Sequence, residues 1–151
     1  MSDIDLLKKA SIFAKLTDDQ LKKIVSSGEQ KKIGDGDLVF KEGDSGHEAY
    51  VVVEGRVQIT MEMDRPTEQA PVHTVAQGRL FGEFALVSDH ERSASARAVK
   101  DTVLFTLSRE TFDRLCEEDP RLGYLVLYEL SQILVGRLVK TTRELRASLM
   151  F

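Results

Sequence analysis

The chain has only one cysteine, Cys116, among 151 residues. A single thiol excludes an internal disulfide and every multi-cysteine zinc ribbon or iron–sulfur pattern, and a reducing cytoplasm is the expected compartment. The opening run Met1-Ser2-Asp3-Ile4-Asp5 lacks the basic end and apolar core of a signal peptide. No apolar stretch of about 18 residues follows, so neither secretion nor membrane spanning is expected. Excess positive charge is also missing: 21 Lys and Arg against 25 Asp and Glu leave a net charge of −4, whereas a general nucleic-acid binder of this size is usually basic. Tandem repeats and low-complexity tracts are absent. What remains, 42% hydrophobic and 30% charged residues, suits a single folded domain spanning 1–151.

Three segments follow from the patterning. Residues 1–27 read as helical, with Thr17 and Gln20 spaced as a capping box before Leu21 and Ile24. Between 28 and 108 glycines punctuate short runs rich in Val, Ile, Thr, Phe and Tyr, which predicts antiparallel strands. The runs are Glu29–Ile33, Leu38–Lys41, Ala49–Val53, Val57–Met63, Val72–Ala76, Ala94–Ala98 and Thr102–Leu107, with Asp64–Ala70 as a surface loop. Strands in succession without intervening helices indicate a sandwich, jelly roll or barrel, hence a mainly β class. In 109–151, Ser108 caps a short helix that ends before Pro120, and Leu127, Leu130, Leu134, Leu138 and Leu145 then recur at helical spacing. That long helix carries five basic against two acidic residues.

Chemistry concentrates in Phe81-Gly82-Glu83-Phe84-Ala85-Leu86-Val87-Ser88-Asp89-His90-Glu91-Arg92-Ser93-Ala94. A glycine followed by a short helical turn frees backbone N–H groups that converge on an anion. Arg92, returning at the far end of the loop, offers a planar fork for two-point contact with a phosphate, and Glu83 offers an acceptor for a sugar hydroxyl. The plainer alternative is that Glu83 and Arg92 pair with each other across a surface loop. Metal chemistry is disfavoured: His47, His73 and His90 are the only histidines, and none form a His-x-His pair of the kind a cupin-like metal site uses. Cys116 lies on an apolar helix face without a basic neighbour in sequence, which suits core packing rather than nucleophilic catalysis. No catalytic residue, metal or cofactor is expected.

The Phe-Gly-Glu, apolar turn, Arg-Ser-Ala order resembles the phosphate-binding cassette of cyclic nucleotide-binding domains, with the same Glu-to-Arg spacing. Gly36-Asp37, Gly43-Asp44-Ser45-Gly46 and Tyr50-Val51-Val52-Val53-Glu54-Gly55-Arg56-Val57 resemble that family's glycine-punctuated strands. The resemblance runs from about Ile4 to Leu149, and within it Glu91-Arg92-Ser93-Ala94 is most similar to the catabolite activator protein branch. It implies an eight-stranded β-roll, a jelly roll or double-stranded β-helix, with N-terminal helices and a long C-terminal helix. It implies that the backbone of Gly82, Phe84 and Ala85, with the side chains of Arg92 and Ser93, takes a cyclic phosphate and that Glu83 takes the ribose 2′-hydroxyl.

Base contacts come from the long helix in that family. Counted without gaps from Pro120, the position is Arg137 and Leu138; matching the local Arg-Leu-x-x-Thr pattern gives Thr141 and Thr142, the reading preferred here. Cyclic AMP is the expected ligand and cyclic GMP the alternative, since Ser93 can also reach a syn guanine. The chain stops at Phe151, where a helix-turn-helix domain follows in the catabolite activator branch, so direct DNA binding is not expected and the downstream protein is unnamed. The expected function is a non-enzymatic cyclic nucleotide sensor signalling through its C-terminal helix, which also pairs two copies in a homodimer. The competing expectation is a ligand-free β-roll that associates through that helix.

Overall fold

A computed structural model describes residues 2–62 and 69–150. Helix α1 (Asp3–Lys8) is capped by the Ser2 hydroxyl, which accepts from the Asp5 N–H, and a 3-10 turn at Ser11–Phe13 leads to α2 (Asp18–Ser27). The Thr17–Gln20 capping box forms as the spacing requires, each side chain bonding the other residue's backbone N–H. Strands β1 (Glu29–Ile33), β2 (Leu38–Phe40), β3 (Glu48–Glu54), β4 (Val57–Glu62), β5 (Gln69–Val75), β6 (Leu80–Phe81), β7 (Ser95–Ala98) and β8 (Thr102–Ser108) follow. They form two four-stranded antiparallel sheets, ordered β1-β8-β3-β6 and β2-β7-β4-β5. This is the eight-stranded β-roll that the family resemblance implied.

Two strands differ from the sequence reading by more than a residue at either end. Strand β6 is only two residues long, too short to register as periodicity, and exists because Leu80 and Phe81 pair with Val51 and Tyr50 of β3. Strand β5 begins at Gln69 rather than Val72, so Gln69 and Ala70 are not loop; Asp64–Glu68 lie outside the described residues. Pro71 is accommodated because β5 is at the sheet edge, where the β4–β5 register also shifts.

Apolar residues divide into two cores. Tyr50, Val52, Val57, Ile59, Val75, Phe81, Ala96 and Leu104 fill the space between the sheets. A second cluster joins α1, the 3-10 turn and α2 to α3 (Arg109–Glu118) and α4 (Pro120–Leu149). Asp119 starts α4 by accepting from the Leu122 N–H and pairs with Lys23 at 2.9 Å, two contacts that hold its carboxyl below the usual carboxylate range. Cys116 is half-buried beside Gly123, where an added Cβ would stand 2.8 Å from the thiol, and burial pushes that thiol's pKa up. It is a packing residue here.

Helix α4 is long and apolar enough to cross a membrane by length and composition, but Leu122, Gly123, Val126 and Leu130 turn into the domain's own core. Beyond Ile133 every described residue of the helix is exposed. Leu138 is 66% exposed and Leu145 57%, and of the five-leucine stripe only Leu130 is buried.

Candidate functional site

Strand β6 delivers the chain to Gly82, whose φ of +69° starts the 3-10 turn Glu83–Leu86. The left-handed conformation is one reason for glycine; close approach is another, since a Cβ there would lie 2.9 Å from Arg92 Nη1 and 3.2 Å from the Tyr50 ring. The Ala85 N–H already donates to the Gly82 carbonyl at 3.3 Å. The return limb is tied down where it passes the β2–β3 connection: Arg92 N–H donates to Asp44 O at 2.8 Å, and Gly43 N–H donates to Arg92 O at 2.9 Å.

Arg92 is 8% exposed. Its Nη2 donates to Glu48 O at 2.8 Å and its Nη1 to Gly82 O at 3.2 Å, while the guanidinium lies 4.2 Å from the centre of the Phe40 ring. Nε is buried without a hydrogen-bond partner. Among the described residues no carboxylate pairs with this cation, and burial pulls its pKa below the ordinary arginine value without discharging it. A buried arginine held by two neutral carbonyls and by the rings of Phe40 and Tyr50, with its Nε–H unpaired, is electrostatically incomplete.

Glu83 is 3% exposed and does not pair with Arg92. Its Oε1 is instead 2.6 Å from Arg137 Nη2 of α4, and that guanidinium lies 4.8 Å from the Phe84 ring centre. The alternative of a Glu83–Arg92 surface pair is therefore corrected, because the left-handed turn at Gly82 sends the two side chains to different partners.

These groups surround one cavity of about 490 Å³, lined by Gly82, Glu83, Phe84, Ala85, Arg92 and Ser93, with Arg137 and Leu134 contributed by α4. Its volume is in the range of small-molecule sites, roughly 300 to 1,000 Å³. Arg92 and Ser93 bring polar chemistry to a space otherwise walled by Phe40, Ile59, Met61, Leu80 and Phe81. All six residues expected at the ligand thus line one pocket. Of the candidate base contacts only Arg137 does; Thr141 and Thr142 are exposed and lie outside the lining, one helical turn farther along α4, about 6 Å past Arg137.

Several lining residues were not identified from the sequence. Ile59 and Met61 alternate along β4, so the strand's period of two would have put them on the inner face. His73 sits across the ladder from Ile59, and His90 also borders the cavity. Gly46 was noted only as strand punctuation, yet an added Cβ there would fall 1.9 Å from Arg92 Nε; no local pattern announces that contact.

The cyclic nucleotide-binding domain profile matches residues 30–119. The chain belongs to the cyclic nucleotide-binding domain family. It is 34% identical over 113 residues to the cGMP-dependent protein kinase egl-4 of Caenorhabditis briggsae, covering 74% of this chain and 15% of the kinase. It is 31% identical over 139 residues to the cyclic AMP receptor protein of Thermus thermophilus, covering 92% of this chain and 62% of that protein. The Thermus catabolite activator protein structure superposes with a TM-score of 0.82 over 91% of this chain and 62% of that one, at 31% identity. The N-terminal domain of a Streptomyces coelicolor A3(2) transcriptional regulator gives the same TM-score at 26% identity, covering 88% and 94%. The chain spans about 15% of the length of the cGMP-dependent kinases it matches. The profile match includes the whole Gly82–Ala94 cassette.

Proposed function

We propose that this cyclic nucleotide-binding domain is a non-enzymatic, cytoplasmic sensor that takes cyclic AMP in preference to cyclic GMP and relays occupancy through α4. The observation that carries this reading is Arg92, a buried guanidinium with no carboxylate partner among the described residues, which lines a nucleotide-sized cavity. A singly charged cyclic phosphate there supplies the missing countercharge, with Ser93 and the backbone of Gly82, Phe84 and Ala85 as further donors. The ribose 2′-hydroxyl donates to Glu83, and the purine lies along the apolar wall toward Leu134. The preference for cyclic AMP rests on the Arg92-Ser93 pair shared with the catabolite activator branch.

Isothermal titration of the purified domain with each cyclic nucleotide is expected to give saturable heat, with cyclic AMP the tighter ligand. Absence of heat and of any thermal shift with both would favour the ligand-free interaction module. Cyclic GMP binding about tenfold tighter would reverse the base preference.

Signalling follows from the pair at 2.6 Å between Glu83 and Arg137. A ligand hydroxyl reaching Glu83 alters the only ion pair recorded between the cassette and α4 among the described residues, and with it the preferred position of the helix. Its exposed Leu134, Leu138, Leu145 and Leu149 are buried by the same helix of a second copy in a symmetric dimer. Nucleotide is expected to slow amide exchange at Arg137–Leu149 as well as Gly82–Ala94. Protection confined to the cassette, with a monomeric mass in solution, would remove both the relay and the seam.

A further inference from the structure

Behind the Glu83–Arg137 pair is a second cavity, of about 160 Å³, bordered by Lys9, Ser11, Arg79, Glu83 and Arg137 over apolar ground that includes Ile133. We propose that it binds a small phosphate-type oxyanion held by Lys9, Arg79 and Arg137. Three cations meet a single carboxylate there, and that carboxylate is already engaged with Arg137. Neighbouring lysines are matched, Lys8 with Asp18 and Lys15 with Glu129, each at 2.7 Å. Lys9 and Arg79 have no ion pair among the described residues.

The backbone brings these two unmatched charges together. The stem of Lys9 lies over Gly78, where an added Cβ would come within 3.1 Å of Lys9 Cδ. Arg79 is the next residue, fixed by its N–H to Ala76 O at 3.1 Å and by its carbonyl accepting from Val52 N–H at 3.0 Å. Like charges confined side by side repel, and an anion between them removes that repulsion while filling the arginine forks. The space is well under the roughly 300 Å³ of ordinary organic-ligand pockets, which selects a phosphate-sized group over a nucleoside. Glu83 and Arg137 border both cavities, so an oxyanion here competes with Glu83 for the Arg137 guanidinium.

The test is titration of the nucleotide-free full chain with inorganic phosphate at constant ionic strength, followed by heteronuclear NMR of backbone amides and arginine Nε–H groups. Saturable shifts are expected at Lys9, Ser11, Arg79 and the Arg137 Nε–H. The double variant Lys9→Ala, Arg79→Ala, both positions being exposed, should weaken binding by about tenfold or more, while the charge control Lys32→Ala should not. An equal response to sodium chloride would reduce the effect to screening, and shifts centred on Arg92 and Ser93 would put phosphate in the larger cavity; either result overturns the proposal. Because no nucleotide is added, failure of this site and failure of cyclic nucleotide binding are read separately.

Discussion

Arg92→Ala is expected to lower cyclic nucleotide affinity by roughly 100- to 4,000-fold, the equivalent of the 3 to 5 kcal/mol lost when one partner of a buried pair is removed. The variant leaves the ligand's phosphate in an apolar cavity facing the carbonyls of Glu48 and Gly82, acceptors that repel it once the guanidinium is gone. Stability should suffer much less. Those two carbonyls lose their donors, at about 1 to 3 kcal/mol each if no water replaces them, but the protein no longer has to keep an uncompensated cation buried. Titration calorimetry gives the affinity, and thermal unfolding in the absence of ligand gives the stability. Glu83→Ala should cost less affinity, about 1.5 to 3 kcal/mol, because it removes a hydroxyl contact to a carboxylate rather than the phosphate's countercharge. Unchanged binding in folded Arg92→Ala protein would sink the assignment of the cassette.

Gly46→Ala should reproduce much of that loss with a single methyl group added outside the cassette sequence. The new Cβ would occupy a point 1.9 Å from Arg92 Nε and 2.3 Å from its Cζ, so the guanidinium has to leave. Gly46 has no left-handed φ, which means alanine meets no backbone penalty and the effect acts through Arg92 alone. The displaced arginine gives up its donation to Glu48 O and its stacking on Phe40, and affinity is expected to fall by about 100-fold while thermal stability changes little. Alanine at the neighbouring Gly43 is a different case, because its φ of +89° is strained for any L side chain although nothing lies within 4 Å of an added Cβ. It should destabilise the turn by about 1 kcal/mol without that loss of affinity. Equal affinities for Gly46→Ala and the unaltered chain would mean that Arg92 need not occupy its present position to bind.

The elements with strong local signals were readable in advance. The capping box at Thr17 and Gln20, the Ser108 cap and the run of leucines after Pro120 each state their structure within a turn or two, and α2, α3 and α4 begin where those signals put them. The same holds for β1, which spans Glu29–Ile33 as read. Strand β6 and the first residues of β5 were not readable, because two residues have no period and Pro71 argues against a strand except at an edge. An edge is a property of the assembled sheet.

For the site, order along the chain placed Gly82, Glu83, Arg92 and Ser93 in one loop whose glycine turn and returning arginine suit an anion, and the family resemblance favoured that reading over a Glu83–Arg92 surface pair. Which group each charge meets was beyond the sequence. Glu83 meets Arg137, 54 positions away, and Arg92 meets the Glu48 carbonyl and the Phe40 ring, because two sheets and a departing helix converge there. That Arg137, and not the threonines one turn on, borders the cavity was likewise decided by the path of α4 over the roll. At 1.5 Å of rise per residue, a shift of four residues moves a side chain clear of the cavity, and only packing at Leu122, Val126 and Leu130 sets that register.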